Sequence, residues 1–416
     1  MASRAPDGAD PPGRWRILLV LSAGLLLAMT PWLSASAVGA ALRTEWSLSA
    51  VELPWLTIAV QIGFASGALV LAATGAADVL PAPRVFAIGA FLAATANLGF
   101  GWLATDLGSA LAFRFLTGVA LAGVYPVAMR LIVGWFRAQR GLAVGVVIGS
   151  LTIGTALPYL VSGLGVMSGA DWRIIVVLAS PAAVLGGMLT LVFTRAGPFD
   201  IPAPRFSLSI AAQALRAPAV RLANLGYLGH MWELYGMWTW IPLFLAASFL
   251  AAGLPDPAAP GLAAFAVVAI GSVGCIVAGL VADRWGRTTV TITAMAISGG
   301  GALVAAIMFG ASPLLVVLVC LVWGSTIVAD SAQFSAAVTE LSPPGTAGSA
   351  LALQVAAGFM LTTVTILVAG ALGLEAGDAG WRVAFAMLAL GPAVGIVAMW
   401  RLRGRPEALL LAGGRR

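Results

Sequence analysis

The chain has 416 residues, of which 61% are hydrophobic and only 9% charged, and its formal net charge is +6. Soluble domains carry about 25% charged residues, so this composition excludes a soluble fold and indicates a polytopic membrane protein. The basic excess does not imply nucleic acid, because the 22 basic residues, all arginine, are scattered between apolar runs.

Residues 1–14 are polar and contain proline, and a disordered tail is predicted there. Arg14, Arg16, the apolar run from Ile17 and the small residues at 34–37 mimic a signal peptide with a cleavage site. The run is too long for that and eleven more follow, so it is read as an uncleaved first helix. A span needs about 20 apolar residues. Apolar segments fall at 17–41, 52–76, 84–104, 108–134, 141–166 and 172–194, then at 222–248, 261–282, 288–309, 313–336, 346–372 and 381–401. The predicted fold is therefore an all-α membrane protein of twelve transmembrane helices. Its predicted parts are a tail and six-helix half over 1–194, a cytoplasmic linker over 195–221 and a second half with its tail over 222–416. The linker holds Arg195, Arg205, Arg216, Arg221 and prolines at 198, 202, 204 and 218, and a short surface helix is predicted at 207–215.

The halves read as repeats. Asp78 and Asp283 follow the second and eighth spans, an offset of 283 − 78 = 205. Trp172-Arg173 and Trp381-Arg382 open the sixth and twelfth, an offset of 381 − 172 = 209. Gly141, Gly145 and Gly149 match Gly348, Ala352 and Ala356 at an offset of 207. A steady offset through small residues and loop charges indicates duplicated halves. With the N-terminus inside, the outer loops hold only Arg43, Arg173 and Arg382, against eighteen arginines in inner loops and tails. Both termini are thus predicted cytoplasmic.

Between the eighth and ninth spans stands Gly279-Leu-Val-Ala-Asp283-Arg284-Trp285-Gly286-Arg287. Gly286 permits a sharp reversal, and the arginines cannot enter hydrocarbon, so they hold the turn at the water interface. This stretch resembles the loop signature of the major facilitator superfamily. The resemblance covers nearly the whole chain through twelve spans, two halves and a fourth-helix arginine. It implies two pseudo-symmetric six-helix halves that work by alternating access. It also implies a gating role for Gly279, Asp283, Arg284, Gly286 and Arg287, with Asp283 facing the start of helix five near Arg140-Gly141. Asp78, in a degraded copy of the loop, would face helix eleven near Gly345, and Arg284 or Arg287 would pair with Glu340. A solvated hairpin is the plainer reading of the same charges. The overall look is similar to bacterial cyanate or nitrate-type members. The second and eighth spans carry no arginine, however, which departs from the anion-binding pair of nitrate porters.

Small residues at 63, 67, 141, 145 and 149 allow close helix contact, either as sliding surfaces between the halves or as static packing. Arg114 lies inside the fourth span, where a charge is costly and faces either a cavity, as an anion contact, or the interface by snorkelling. The seventh span is the most unusual, with His230, Trp232, Glu233, Tyr235 and Trp238 within nine residues. An intramembrane acid beside a histidine is a functional hypothesis by default, with a buried structural pair as the alternative. Glu233 is the candidate proton-carrying or cation-contacting group, His230 its tuner and the aromatics the substrate walls. Asp330, in the tenth span, is charged and joins this candidate site. Gln61, Asn97, Asn224 and Gln354 are expected to form interhelical hydrogen bonds.

Cys275 and Cys320 fall inside apolar runs as packing residues, and a single histidine excludes a histidine metal cluster. The chain has no lysine and no phosphate-binding glycine-lysine loop, which argues against an ATP-driven pump. No cofactor or metal and no nucleic acid is expected. The predicted function is a monomeric secondary transporter of the bacterial cytoplasmic membrane. It would move a small organic solute, an organic anion being one option, with protons as the coupling ion. Efflux of hydrophobic, drug-like compounds, a facilitator-like receptor and a membrane enzyme are the alternatives. The last lacks any nucleophile–base pair.

Overall fold

The computed structural model describes residues 10–76, 80–200 and 206–416, and among these residues every regular element is helical. The first span, α1, is broken into Arg14–Ala28, Ser34–Ala37 and Gly39–Glu45. The others are α2 Trp55–Thr74, α3 Ala82–Leu103, α4 Leu107–Val133, α5 Arg140–Ser168, α6 Trp172–Phe193, α7 Pro218–Ala251, α8 Ala259–Trp285, α9 Arg287–Ile307, α10 Pro313–Leu341, α11 Ala347–Glu375 and α12 Gly377–Arg403. Each of these eleven is long and apolar enough to cross a membrane.

Local chemistry explains the ends and breaks. Pro31 has no N–H to offer the Leu27 carbonyl, so the α1 ladder loses a bond where the helix breaks. The Thr30 hydroxyl lies 2.8 Å from that carbonyl oxygen and takes the missing donor's place. Asp106 begins α4 with a reciprocal cap to Ser109, and Asp171 caps α6 through the Arg173 N–H. The α8–α9 reversal turns on Gly286 at φ +86°, a left-handed conformation that favours glycine. Within the spans, α8 is interrupted at Ile270 and α10 between Ile327 and Ser331.

Helices α1 to α6 pack among themselves, chiefly α3 on α6, α2 on α4 and α1 on α5 and α6. Helices α7 to α12 do likewise, chiefly α7 on α11 and α12 and α9 on α10 and α12. The two sets meet along α5 against α8 and α2 against α11. These contacts exchange when six is added to α5 and α2, as duplication requires.

The α5–α8 seam is close because it is built from small residues. A β-carbon on Gly141 would lie 2.5 Å from the Gly279 carbonyl oxygen, and one on Gly145 would lie 2.5 Å from that of Cys275. Gly63 and Gly67 correct the reading of every small-residue pair as a sliding surface between halves. They press on Phe115 and Val119 of α4, inside the first set.

A short helix, Leu208–Ala214, crosses one end of the bundle. Just before it, the Phe206 N–H donates to the Ala72 carbonyl of α2 at 2.8 Å, and the Ser207 N–H donates to Ser349 Oγ of α11 at 3.1 Å.

Candidate functional site

At the end of the bundle that carries the Gly279–Arg287 stretch, the loop signature forms a bonded cluster. Arg287 grips Glu340 with two N–H groups at 2.7 and 2.5 Å and donates a third bond to Gln333 at 2.9 Å. Such a bidentate fork fixes geometry as well as charge. Asp283 brings its Oδ2 beside Gly141, where a β-carbon on that glycine would lie 3.2 Å away. Its carboxylate therefore lies next to the first turn of α5, where free N–H groups favour a negative charge. Arg284 and Arg140 are exposed at the same end. Asp78 lies outside the described residues. The C-terminal segment covers the cluster: the Ala412 N–H donates to Glu340 at 3.1 Å, and Arg415 donates to the Asp283 carbonyl.

Midway along the bundle, four rings from both sets of helices meet. Trp32, at the α1 break, lies 5.0 Å from Phe64 of α2, 5.9 Å from Tyr235 of α7 and 5.7 Å from Phe359 of α11, centroid to centroid. Phe359 in turn lies 4.7 Å from Phe64 and 5.3 Å from Tyr235. Trp238 stands edge-on to Tyr235 at 5.5 Å, and Tyr159 of α5 donates its hydroxyl to the Trp238 carbonyl. Trp232 is not part of this layer. It turns to α12 and donates to the Met387 carbonyl at 3.1 Å.

Three ionisable groups are buried on the side of the layer nearer the Gly279–Arg287 stretch. Glu233, His230 and Asp330 are only 1%, 1% and 2% exposed. His230 Nδ1 lies 2.8 Å from Asp330 Oδ1, at ion-pair distance but without hydrogen-bond alignment, and His230 Nε2 has no partner among the described residues. Asp330 sits at the interruption of α10, so the pair ties α7 to that break. Glu233 does not bond His230. It accepts from Ser298 Oγ of α9 at 2.9 Å and from Trp323 Nε1 of α10 at 2.7 Å. Three residues advance a helix by about 300°, which points the two side chains to neighbouring faces.

Arg114 neither reaches a cavity nor snorkels to an interface. Its Nε donates to the Leu56 carbonyl at 3.3 Å, and Nη1 donates to the Pro31 carbonyl at 2.8 Å and to Ser34 Oγ at 3.0 Å. Nη2 donates to the Trp32 carbonyl. Three of its five N–H groups are thus spent on carbonyls and a hydroxyl of the broken α1, and a fourth on α2. The network continues from Ser34 to Asn97, and from Asn97 to Ser180 and the Val176 carbonyl.

Asn97 meets the expectation of an interhelical bond, whereas Asn224 bonds its own helix at Val220. Gln61 and Gln354 depart from it, since the amide atoms of both are buried without partners among the described residues. Sequence reasoning missed Ser298 and Trp323 as partners of Glu233, because nothing in an apolar run marks which serine or tryptophan faces an acid. At the opposite end from the Gly279–Arg287 stretch, a cleft of about 350 Å³ opens between α1, α5, α7 and α8, bordered by Ser36, Ser162, Pro242 and Ala246. A narrow crevice below it reaches Thr57 and Thr239.

The class defined by this arrangement is a multi-pass helical membrane protein of two related halves, joined at a small-residue seam around a buried polar centre. Residues 20–353 match the profile of the Major Facilitator Superfamily, and the chain belongs to that superfamily. Among curated proteins, it is 26% identical over 210 residues to one named as a candidate niacin/nicotinamide transporter of Bacillus subtilis (strain 168), covering 49% of this chain and 51% of that one. It is 30% identical over 179 residues to an MFS-type transporter of Aspergillus terreus (strain NIH 2624 / FGSC A1156), covering 42% of this chain and 58% of that one. The chain thus spans about half the length of the curated relatives it matches. A solved structure of the E. coli xylose transporter, partially occluded and inward open, superposes with TM-score 0.72 at 16% identity, covering 94% and 98% of the two chains. A bacterial homologue of the human lysosomal transporter Spinster gives 0.68 at 16%, covering 96% and 100%. A nucleoside transporter variant gives 0.68 at 15%, covering 93% and 99%. These structural likenesses carry the fold.

Proposed function

We propose that the protein is a proton-coupled secondary transporter that moves a small organic solute by alternating access. The halves are 1–194 and 222–416, with the linker and both termini on the cytoplasmic side of a bacterial inner membrane and the monomer as the working unit. The observation that carries this reading is the buried trio of His230, Glu233 and Asp330, set beside an aromatic layer shared by both halves. Ionisable groups at membrane depth are costly and mark ion or substrate pathways. Among the described residues Glu233 has two neutral hydrogen-bond donors and no arginine, and it serves as the proton carrier. His230 and Asp330 link its helix to the interruption of α10. Asp283, Arg287, Glu340 and the α5–α8 seam close the cytoplasmic end, while the 350 Å³ cleft is the outer vestibule. The names of the relatives, which cover a nicotinamide-type compound, a pentose and a nucleoside, support a small solute as the cargo class.

The test needs no known cargo. In a background with Cys275 and Cys320 replaced by alanine, Ser36→Cys is labelled from outside with an impermeant maleimide in proteoliposomes at two pH values. Labelling should depend on pH, and Glu233→Gln should abolish that dependence while leaving expression intact. An unchanged pH dependence in Glu233→Gln makes Glu233 structural and removes the coupling assignment. A second reading, efflux of hydrophobic compounds, is favoured by the apolar rim of the vestibule at Val38, Leu243 and Leu254. Dye efflux from energised cells would distinguish it.

A further inference from the structure

The cleft of about 350 Å³ opposite the Gly279–Arg287 end carries charge of one sign. Its walls are mostly apolar, with Val38 of the first span, Leu243 and Ala246 of α7 and Leu254 of the following connection. Asp256 is the one charged residue among the described residues that border it. Its Oδ1 accepts from the N–H groups of Ala258 and Ala259 at 2.8 and 3.1 Å, which fixes the carboxylate at the rim. Oδ2 has no partner among the described residues. A carboxylate oxygen held in place above apolar walls suits the N–H groups of a positively charged head on an apolar body.

The surroundings carry the same sign. The connections at this end hold Glu45, Glu52, Asp106 and Asp171 in the first half and Asp256, Glu375 and Asp378 in the second. Against these stand Arg43, Arg173 and Arg382, a balance of 3 − 7 = −4. Two of the three arginines are engaged: Arg173 pairs with Glu45 at 2.7 Å, and Arg382 donates to the carbonyls of Ala306, Ile307 and Phe309. Such a field gathers cations at the mouth of the cleft and repels anions.

The path inward offers nothing that would reverse this choice. Ser36 and Leu243 border both the cleft and the crevice below it, so the two adjoin. Thr239 borders the crevice, 5% exposed, and its hydroxyl has no partner among the described residues. A hydroxyl serves either polarity, so selection by charge rests with Asp256 above and with Glu233, Asp330 and His230 below. The Arg114 guanidinium is spent on α1 and α2 and is not offered to a solute.

We infer that this cleft is the outer docking site for an organic cation with an apolar body. The head meets Asp256 Oδ2, and the body lies on Val38, Leu243, Ala246 and Leu254. The inference rests on the transporter reading and narrows its cargo from any small solute to a cation. That reading is tested by the pH-dependent labelling of Ser36→Cys without any solute, so the two can fail separately.

The test is solute protection of a cysteine in the cleft, at one pH, on the purified full chain with Cys275 and Cys320 replaced by alanine. Ala246→Cys is labelled with a maleimide in the presence of hexylammonium, 1-hexanol or hexanoate, which share a chain of six carbons and differ in charge. Hexylammonium should protect at a concentration about three- to fivefold below that of 1-hexanol, the worth of one exposed ion pair, and hexanoate should need the most. Asp256→Asn keeps an oxygen for the Ala258 and Ala259 N–H groups and removes the charge. It should bring hexylammonium to the level of 1-hexanol and leave 1-hexanol unchanged, while Asp256→Glu should keep most of the cation's advantage. Equal protection by hexylammonium and hexanoate overturns the inference. So does the absence of protection by all three probes, or an advantage of hexylammonium that Asp256→Asn does not remove.

Discussion

Arg114 illustrates how a costly side chain is used for architecture. Pro31 breaks α1, and the break leaves the Pro31 and Trp32 carbonyls inside the bundle, where Arg114 donates to both. Arginine suits the task because its rigid fork serves several acceptors at once. Arg114→Ala should therefore destabilise the protein by about 2–5 kcal/mol through uncompensated carbonyls, and Arg114→Lys should recover only part of that. Melting temperatures of the purified variants check both. The sequence showed that an arginine in a span must have a reason. It could not show which carbonyls the reason was, because Pro31 and Arg114 are 83 residues apart and meet only in the fold. Glu233 was legible in the same limited sense. Its isolation in an apolar run marked it, but its partners Ser298 and Trp323 come from two other helices, and His230, three residues away, turned out to face Asp330 instead.

Among the elements, α5 and α8 meet so closely that a single added atom would collide with the facing backbone. Gly145 lies against the backbone of Cys275 and Gly141 against that of Gly279, with Asp283 beside the latter pair. Gly145→Val should push the helices apart at an overpacking cost of about 1–3 kcal/mol and favour separation at that end. Asp283→Asn, which keeps the shape and removes the charge, should loosen the same seam more mildly. Labelling of a cysteine placed at Ser272, which packs on Gly149, should rise in both, and unchanged labelling would leave the seam a static support. The helices themselves were legible because about twenty apolar residues dictate a span. The interruptions at Ile270 of α8 and between Ile327 and Ser331 of α10 were not, since no proline marks either and they arise from close crossing. A β-carbon on Gly324 would lie 1.9 Å from the Val267 carbonyl oxygen, so neither helix can run past the other undisturbed.

At the scale of the whole molecule, the duplicated plan was the most readable feature, because it is written in repeated loop charges and needs no knowledge of contacts. It predicts that position 205 and Asp256 lie on opposite sides of the membrane. Impermeant thiol reagents applied to intact cells should label a cysteine at 256 and spare one at 205, and labelling of both would refute the proposed orientation. The connection between the halves has a mechanical corollary. Phe206 is fastened to α2 and Ser207 to α11 before the chain enters the helix Leu208–Ala214. The linker therefore behaves as a hasp laid across the doorway, not as slack rope. Parting α2 from α11 at that end must first unfasten one of these two bonds. Severing the chain just upstream would leave Phe206 and Ser207 fastened, whereas replacing Ser349 would free the latch without cutting anything.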